Sequence, residues 1–299
     1  MALAGCAAQP LRVVAAGDLQ LDGAGRADPL AQLAILDGDV RFVNLEGPLT
    51  TRGAPSGLDA DGRPSGGAIH FQAPPERARW LAGRVDVASL ANNHALDQGA
   101  AGRDDTARAL AAAGVQPAWR DHDAELRRRG RRVIVLARDF PPGAELDGAS
   151  ELVDAVARAR RRGVVLVSLH WGETGSLLPS DAQRRFAARL ADAGAAAVIG
   201  HGPHALQGLE RRGGAVIAYS LGNLAFGCRC TDAADAYALA FTIDARGRAA
   251  DARAIPLEAG LSGNLPHPSR DPGLLELIET LSRDLGSHAT RTDGTVRIR

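Results

Sequence analysis

Val164-Val165-Leu166-Val167-Ser168-Leu169-His170-Trp171-Gly172-Glu173 is the stretch on which the fold turns. Its first six residues form a short β-branched run of strand character, and polar, ligand-type side chains follow at once. Ser180-Asp181 is a helix start and Gly194 a stop, so Ser180–Ala193 reads as a helix and Ala196–Ile199 as the next strand. The same alternation extends outward in both directions. Further strands are expected at Leu11–Ala15, Val40–Asn44, Val85–Leu90, Arg132–Ala137, Ala215–Ser220 and Ala238–Ile243. Helices are expected at Asp28–Leu36, Pro75–Ala82, Asp104–Ala113, Ser150–Arg162 and Pro272–Leu285. Strands alternating with helices of this length argue for a layered α/β domain.

The composition narrows the function. The chain has 299 residues, 45% of them apolar, enough for one large core. Residues 10–286 read as a single domain, residues 1–9 as a truncated lipoprotein signal or disordered start, and residues 287–299 as a loose tail. The 35 basic residues, all Arg, balance 35 acidic ones, and no basic stripe is interleaved with aromatics. Nucleic acid is therefore a poor partner. The Arg127-Arg128-Arg129 and Arg160-Arg161-Arg162 runs read as solvated helix ends. No stretch reaches the roughly 20 apolar residues of a transmembrane helix.

Leu3-Ala4-Gly5-Cys6 matches a bacterial lipobox, which would make Cys6 the lipid-bearing residue, although no basic and apolar leader precedes it. The alternative is a chance match in an Ala/Gly-rich segment. Cys228 and Cys230 read as two loop thiols, with a link between the pair or to another chain as the alternative. Arg52–Gly67, rich in Gly, Pro, Ser and Asp, reads as a long loop of the kind that covers a site.

The chemistry gathers behind the strands. Gly17-Asp18-Leu19-Gln20, Asn44-Leu45-Glu46-Gly47, Ala91-Asn92-Asn93-His94 with Asp97, His170-Trp171-Gly172-Glu173 and Gly200-His201-Gly202-Pro203-His204 each follow a strand. Sites in open α/β sheets form at the carboxyl ends of strands, so five such tips can converge. Four of the eight histidines lie in them. Singly, Gly17-Asp18 is an ordinary turn, Asn92-Asn93 a helix cap, and His170 a hydrogen-bonded core group. Their joint occurrence in this order points instead to a metal centre. Imidazoles, carboxylates and an amide oxygen suit Mn²⁺, Fe²⁺ or Zn²⁺, as one ion or as two.

The order Gly-Asp, Asn-Leu-Glu, Asn-Asn-His-x-x-Asp-x-Gly, His-Trp-Gly-x-Glu, Gly-His-Gly-Pro-His and Tyr219-Ser220-Leu221-Gly222-Asn223 resembles the bacterial CapA-type capsule (poly-γ-glutamate) synthesis family. Phe71-Gln72-Ala73-Pro74 is similar to that family's segment as well. The likeness runs from about Val13 to Phe226, and the family is similar in turn to the calcineurin-like metallophosphoesterases. The resemblance implies a two-sheet β-sandwich flanked by helices, in α/β/β/α layers. It implies Asp18, Glu46, Asn93, His170, His201 and His204 as metal ligands, with Glu46 as the bridge. It implies His94 as the group that protonates a leaving group, with Asp97 sharing its helical face and orienting the ring.

Three departures qualify the ligand set. Gln20 offers only a neutral amide oxygen where phosphoesterases carry a histidine, which weakens the first ion position. The closing histidines are spaced three residues apart, not two, so which ion each serves is open. Glu46 lengthens the bridge by one methylene.

The function implied is a metal-dependent hydrolase or transferase acting on an anionic envelope polymer, outside the cytoplasm. The alternatives are a generic phosphodiesterase or phosphatase on a small anionic substrate, and a non-catalytic accessory subunit binding polymer or a membrane synthase component.

Overall fold

Central strands need cover on both faces, and the strands that flank the decisive helix have it. The computed structural model describes residues 9–22, 27–31, 34–262 and 264–299. In chain order its strands are β1 (Leu11–Gln20), β2 (Val40–Leu45), β3 (Val87–Ser89), β4 (Gln116–Ala118), β5 (Ala124–Arg128), β6 (Arg131–Asp139), β7 (Val164–His170), β8 (Ala195–His201), β9 (Leu209–Arg212), β10 (Ala215–Ala218), β11 (Asn223–Phe226), β12 (Asp235–Ile243), β13 (Ala249–Glu258), β14 (Gly260–Leu261), β15 (His267–Pro268), β16 (Ala289–Thr292) and β17 (Thr295–Ile298). The α-helices are α1 (Gly99–Ala112), α2 (Ser150–Arg160), α3 (Asp181–Asp192) and α4 (Pro272–Asp284). Every residue of β7 and β8 is buried, as parallel strands sandwiched between layers require.

The strands form two sheets. The first runs β16-β17-β13-β12-β1-β2-β3-β4, with β11 joined parallel to β1 and the short β14 and β15 attached beyond. The second runs β5-β6-β7-β8-β10-β9, parallel in its centre and antiparallel at both edges. One apolar cluster takes Phe42 and Val87 from the first sheet and Val135, Leu166 and Ile199 from the second, so the sheets pack face to face. The outer face of the first sheet packs against Leu81 and Leu110, and that of the second against Val156 of α2 and Phe186 and Leu190 of α3. This is the expected α/β/β/α layering. Helix α3 starts on a capping box, Ser180 accepting from Gln183 N–H while the Gln183 side chain accepts from Ser180 N–H.

Several expectations are corrected. Of the described residues in Asp28–Leu36, Ala34–Leu36 alone are helical, as one 3-10 turn. Asp28 accepts from Leu30 N–H and pairs with Arg84, closing a turn at Pro29 where a helix start was expected. Pro75–Trp80 is likewise 3-10, and α1 begins at Gly99, five residues before its expected start. Arg127-Arg128-Arg129 ends a strand, turning back through Arg129 and Gly130, with Arg128 and Arg129 paired to Asp86 and Asp39. Cys228 and Cys230 are joined to each other by a disulfide, not left as thiols. The lipobox residues Leu3 to Cys6 lie outside the described residues.

The tail expected to be loose is a β-hairpin. Asp293 and Gly294 both take positive φ at its turn, the pattern of a two-residue hairpin. Ala289, Val296 and Ile298 point into the inter-sheet core, and β17 pairs with β13. Glu279 of α4, nearly buried, accepts from Arg283 at 2.7 Å and pairs with Arg291 of the hairpin at 2.9 Å.

Glu279→Ala should therefore lower stability by about 1–3 kcal/mol in chemical denaturation, because it removes a buried, charged acceptor shared by two guanidinium groups. A loose tail would leave the change within about 0.5 kcal/mol.

Candidate metal centre

Register and two irregularities bring the strand tips together. Asp18 of β1 pairs with Asn44 of β2 on one side and Asn223 of β11 on the other. Register shifts on both flanks of Asp18 re-aim β1 at this point. A Cβ on Gly17 would lie 1.9 Å from Gly222 O, so glycine is required for the two backbones to meet. In the second sheet His170 and His201 are register partners at the ends of β7 and β8. Gly200, whose Cβ would fall 1.8 Å from Tyr219 O, and Gly202, at φ 106°, let the chain turn back so that His204 also faces Asp18.

Glu46 is the hub. It is fully buried, and neither of its carboxylate oxygens has a hydrogen-bond partner. His170 Nε2 and His204 Nε2 each stand 3.6 Å from Glu46 Oε1. One atom each from Asp18, Glu46 and His204 lie within 4.8 Å of one another. His201 is fully buried, with Nδ1 3.1 Å from Asp18 Oδ1 but without aligned hydrogen bonds at either ring nitrogen. Both closing histidines thus approach Asp18, which bears on the question left open by their spacing.

Around this hub lies a set of orienting groups, of which Asp139 is in none of the sequence motifs and Asn44, Asn92 and Asn223 are in motifs that gave them no role. Asp139 Oδ1 lies 3.1 Å from His170 Nδ1, and Asn223 Oδ1 lies 3.0 Å from His204 Nδ1. Asn44 Nδ2 donates to Asp18 Oδ1 at 2.9 Å, and Asn92 Nδ2 donates to Asn44 Oδ1 and Leu45 O. Asn92 Oδ1 in turn accepts from His94 N–H, so a chain of amides links the His94 turn to Asp18. Asp139 directly precedes Phe140 at the end of β6. Its proximity to His170 follows from parallel register, a signal readable once β6 and β7 are placed side by side.

His94 Nδ1 lies 2.8 Å from Asp97 Oδ2, which also accepts from Phe71 N–H. A run of turns, not a helical face, makes this contact, because α1 begins only at Gly99. The Phe71 ring packs on His94 with centroids 4.3 Å apart. The long loop is tied beside them: Gln98 donates to Ala54 O and Phe71 O, and Arg229 N–H donates to Gly62 O.

One expected ligand and one expected departure are placed by the structure. Asn93 is exposed, whereas its neighbour Asn92 is the buried amide. Gln20 is buried, and its Oε1 accepts from Gly227 N–H at 2.8 Å.

The electrostatics follow from the burial. Burial opposes protonation of His170, but Asp139 and Glu46 outweigh it and push the ring up to about 10. Burial is likewise overcome at His204, where Glu46, Asp18 and Asn223 push it up to about 9. Burial would raise Asp18, yet His201 and His204 hold it well below the usual carboxylate range.

This donor set fits a divalent cation. Two unpartnered carboxylate oxygens, an unpartnered His170 Nε2 and an unpartnered His201 Nε2 are all buried together. Buried polar groups are otherwise nearly always paired, and mixed N/O donors suit a borderline divalent ion. The group could hold one.

The family described as "Bacterial capsule synthesis protein PGA_cap" matches residues 15–228. A "Probable polyglutamine synthesis accessory protein" of Mycobacterium tuberculosis (strain ATCC 25618 / H37Rv) is 33% identical over 226 residues, covering 64% of this chain and 57% of its own. The "PGA biosynthesis protein CapA" of Bacillus subtilis (strain 168) is 30% identical over 179 residues, covering 53% and 47%. The matched part of the chain thus spans about half the length of these curated relatives. A solved structure of a hypothetical protein from Thermus thermophilus covers 86% of this chain and 96% of its own at 19% identity, with a TM-score of 0.49.

The raised histidines give a pH signature. In chelator, His170 and His204 hold protons that the unfolded chain loses above its ordinary value of about 6.5. Their contribution to stability is therefore full below that pH and fades as pH climbs through about 9 to about 10. Asp18 acts in the opposite sense, contributing above its ordinary value of about 3.9 and losing that contribution in acid. Saturating Mn²⁺ should displace the imidazole protons and flatten the alkaline decline. Thermal melts from acid to alkaline pH, with and without the ion, check this. Identical alkaline slopes would contradict it.

Proposed function

The chain belongs to the bacterial capsule synthesis protein family, and from that premise we propose that it acts in the biosynthesis of an anionic envelope polymer of the poly-γ-glutamate type, as a metal-dependent hydrolase or transferase. The observation that carries this reading is Glu46, a wholly buried carboxylate with unpartnered oxygens, approached at 3.6 Å by two imidazole nitrogens. Glu46, Asp18, His170, His201 and His204 would hold the ion.

When bound, a divalent ion here supplies Lewis acidity to a carbonyl or phosphoryl oxygen and lowers the pKa of a water. The protein does the rest. Asp97 accepts from His94 Nδ1, which leaves Nε2 as the atom that exchanges a proton with the departing group. Phe71 shields the ring from solvent on one face. The amide chain from His94 through Asn92 and Asn44 to Asp18 fixes the spacing between proton donor and ligand cluster.

Relatives named for capsule and poly-γ-glutamate biosynthesis support an envelope location. Among the described residues no helix is long and apolar enough to cross a membrane. A lipid on Cys6 and synthase components in the membrane are the proposed points of attachment. The accessory-subunit reading is favoured by one observation, the Gln20 oxygen engaged with Gly227 at a position where related phosphoesterases place a ligand.

Turnover of γ-linked polyglutamate and of bis-p-nitrophenyl phosphate, each with Mn²⁺, separates the readings. Catalysis predicts that His94→Ala lowers kcat by about 10²-fold or more with little change in KM. Preference for the phosphodiester would select the phosphodiesterase. Equal, negligible turnover by wild type and variant, with polymer still bound, would select the accessory subunit.

A further inference from the structure

Tyr219-Ser220-Leu221-Gly222-Asn223 ends on the amide that faces His204 Nδ1. We propose that Asn223 is a positioning residue that holds His204 with its proton on Nδ1, so that the unprotonated Nε2 faces Glu46 and the cation. The proposal rests on the metal reading above and adds the residue that sets the ligand's tautomer.

The orientation of the Asn223 amide is fixed from its other end. Its Nδ2 donates to Ala233 O at 3.0 Å, and Ala233 is held by its own N–H bond to Thr231 Oγ1. A flipped amide would set oxygen against oxygen at Ala233. Oδ1 is therefore the atom that faces His204 Nδ1 at 3.0 Å, and it can only accept. Nδ1 must donate. In the neutral ring this leaves a lone pair on Nε2, the atom 3.6 Å from Glu46 Oε1. Asn223 is fully buried, so no water competes for the contact.

His204 needs such a restraint. Its backbone is left-handed, at φ 57°, where a non-glycine residue is uncommon. The edge of Phe226 supports the ring at 5.0 Å, and Asn223 supplies the polar contact. Without Asn223 the nearest remaining acceptor for Nδ1–H is Asp18 Oδ2 at 3.3 Å. The ring would then turn toward Asp18 and occupy an oxygen that the cation needs. His170 has the parallel arrangement, with Asp139 in place of an amide. A charged acceptor raises the basicity of its histidine more than an amide does, so the two imidazoles that meet at Glu46 are unequal ligands.

The test uses the whole chain with Zn²⁺ as probe, in wild type, Asn223→Ala and Asn223→Asp. Zinc affinity is measured by competition with a chelating dye, and the His204 nitrogens by long-range proton–nitrogen NMR. Thermal melts in chelator report folding separately. Wild type should show the proton on Nδ1. Asn223→Ala should bind zinc about 10–100-fold more weakly, with the His204 Nδ1–H turned to Asp18. Asn223→Asp keeps an acceptor and gives up the Ala233 tie, so it should recover most of the affinity.

Unchanged zinc affinity in Asn223→Ala would overturn the proposal. So would a proton on Nε2 in wild type, or an Asn223→Asp loss as deep as that of Asn223→Ala with the fold intact. If Asn223→Ala does not fold, wild type and Asn223→Asp decide alone: Nδ1–H in both with similar affinity supports the role, and loss of either overturns it. If wild type binds no zinc, the metal reading fails by itself. The tautomer is then read in chelator above the pH range where His204 titrates, with Nδ1–H in wild type supporting the positioning role and any other state overturning it.

Discussion

A carboxylate without hydrogen bonds cannot sit in a dry interior as an isolated charge, and Glu46 is in that position. The rest of the site is arranged around this constraint. Two imidazoles aim Nε2 at one of its oxygens, and each has its Nδ1 held by a separate acceptor, Asp139 for His170 and Asn223 for His204. In the metal-free protein, protons on these rings supply the compensating charge, which is why both titrate well above the ordinary histidine value. A divalent cation can replace those protons and satisfy the unpartnered atoms together. Asp18, drawn low by His201 and His204, is already ionised for the same purpose.

The fold is what allows ligands from both sheets to meet. Asp18 and Glu46 come from the first sheet, His170, His201 and His204 from the second, and the inter-sheet core holds the two in fixed relation. Close backbone approach matters as much as the ligands. Gly17 lies against Gly222 and Gly200 against Tyr219, where any side chain would collide with the neighbouring backbone of the same sheet. The cover is assembled from distant segments: Phe71 packs on His94, Phe226 packs on His204, and the disulfide loop that follows Phe226 holds Gly62 of the long loop.

Much of this was legible in the sequence because the central strands are local apolar runs and the ligand-type residues follow them directly. The strands at β2, β6, β7 and β8 and the helices α2, α3 and α4 fall where their runs and stops indicate, whereas β1 runs five residues past its expected end at Ala15 and carries Asp18 within it. What escaped has a physical reason in each case. The hairpin β16–β17 was hidden by its polar outward face, although Asp293-Gly294 between alternating Thr, Val and Ile carried the signal. Asp28-Pro29 looks like a helix start, but the Asp28 carboxylate is drawn to Arg84, a contact made only in the fold. Asp139 and Asn223 act on histidines 31 and 19 residues away, so no local pattern shows their partners, although Asn223 closes a quoted motif. Adjacent asparagines cannot be told apart by type alone. The structure buries Asn92 and exposes Asn93.

The central claim is that Glu46 is the common anchor of a divalent cation. Metal content per chain, with the change in melting temperature on adding Mn²⁺, in wild type and Glu46→Gln tests it most directly. Glutamine keeps the shape and removes the charge. The account predicts a bound ion and a raised melting temperature in wild type, and neither in Glu46→Gln. Equal metal content and equal stabilisation in both proteins would contradict it.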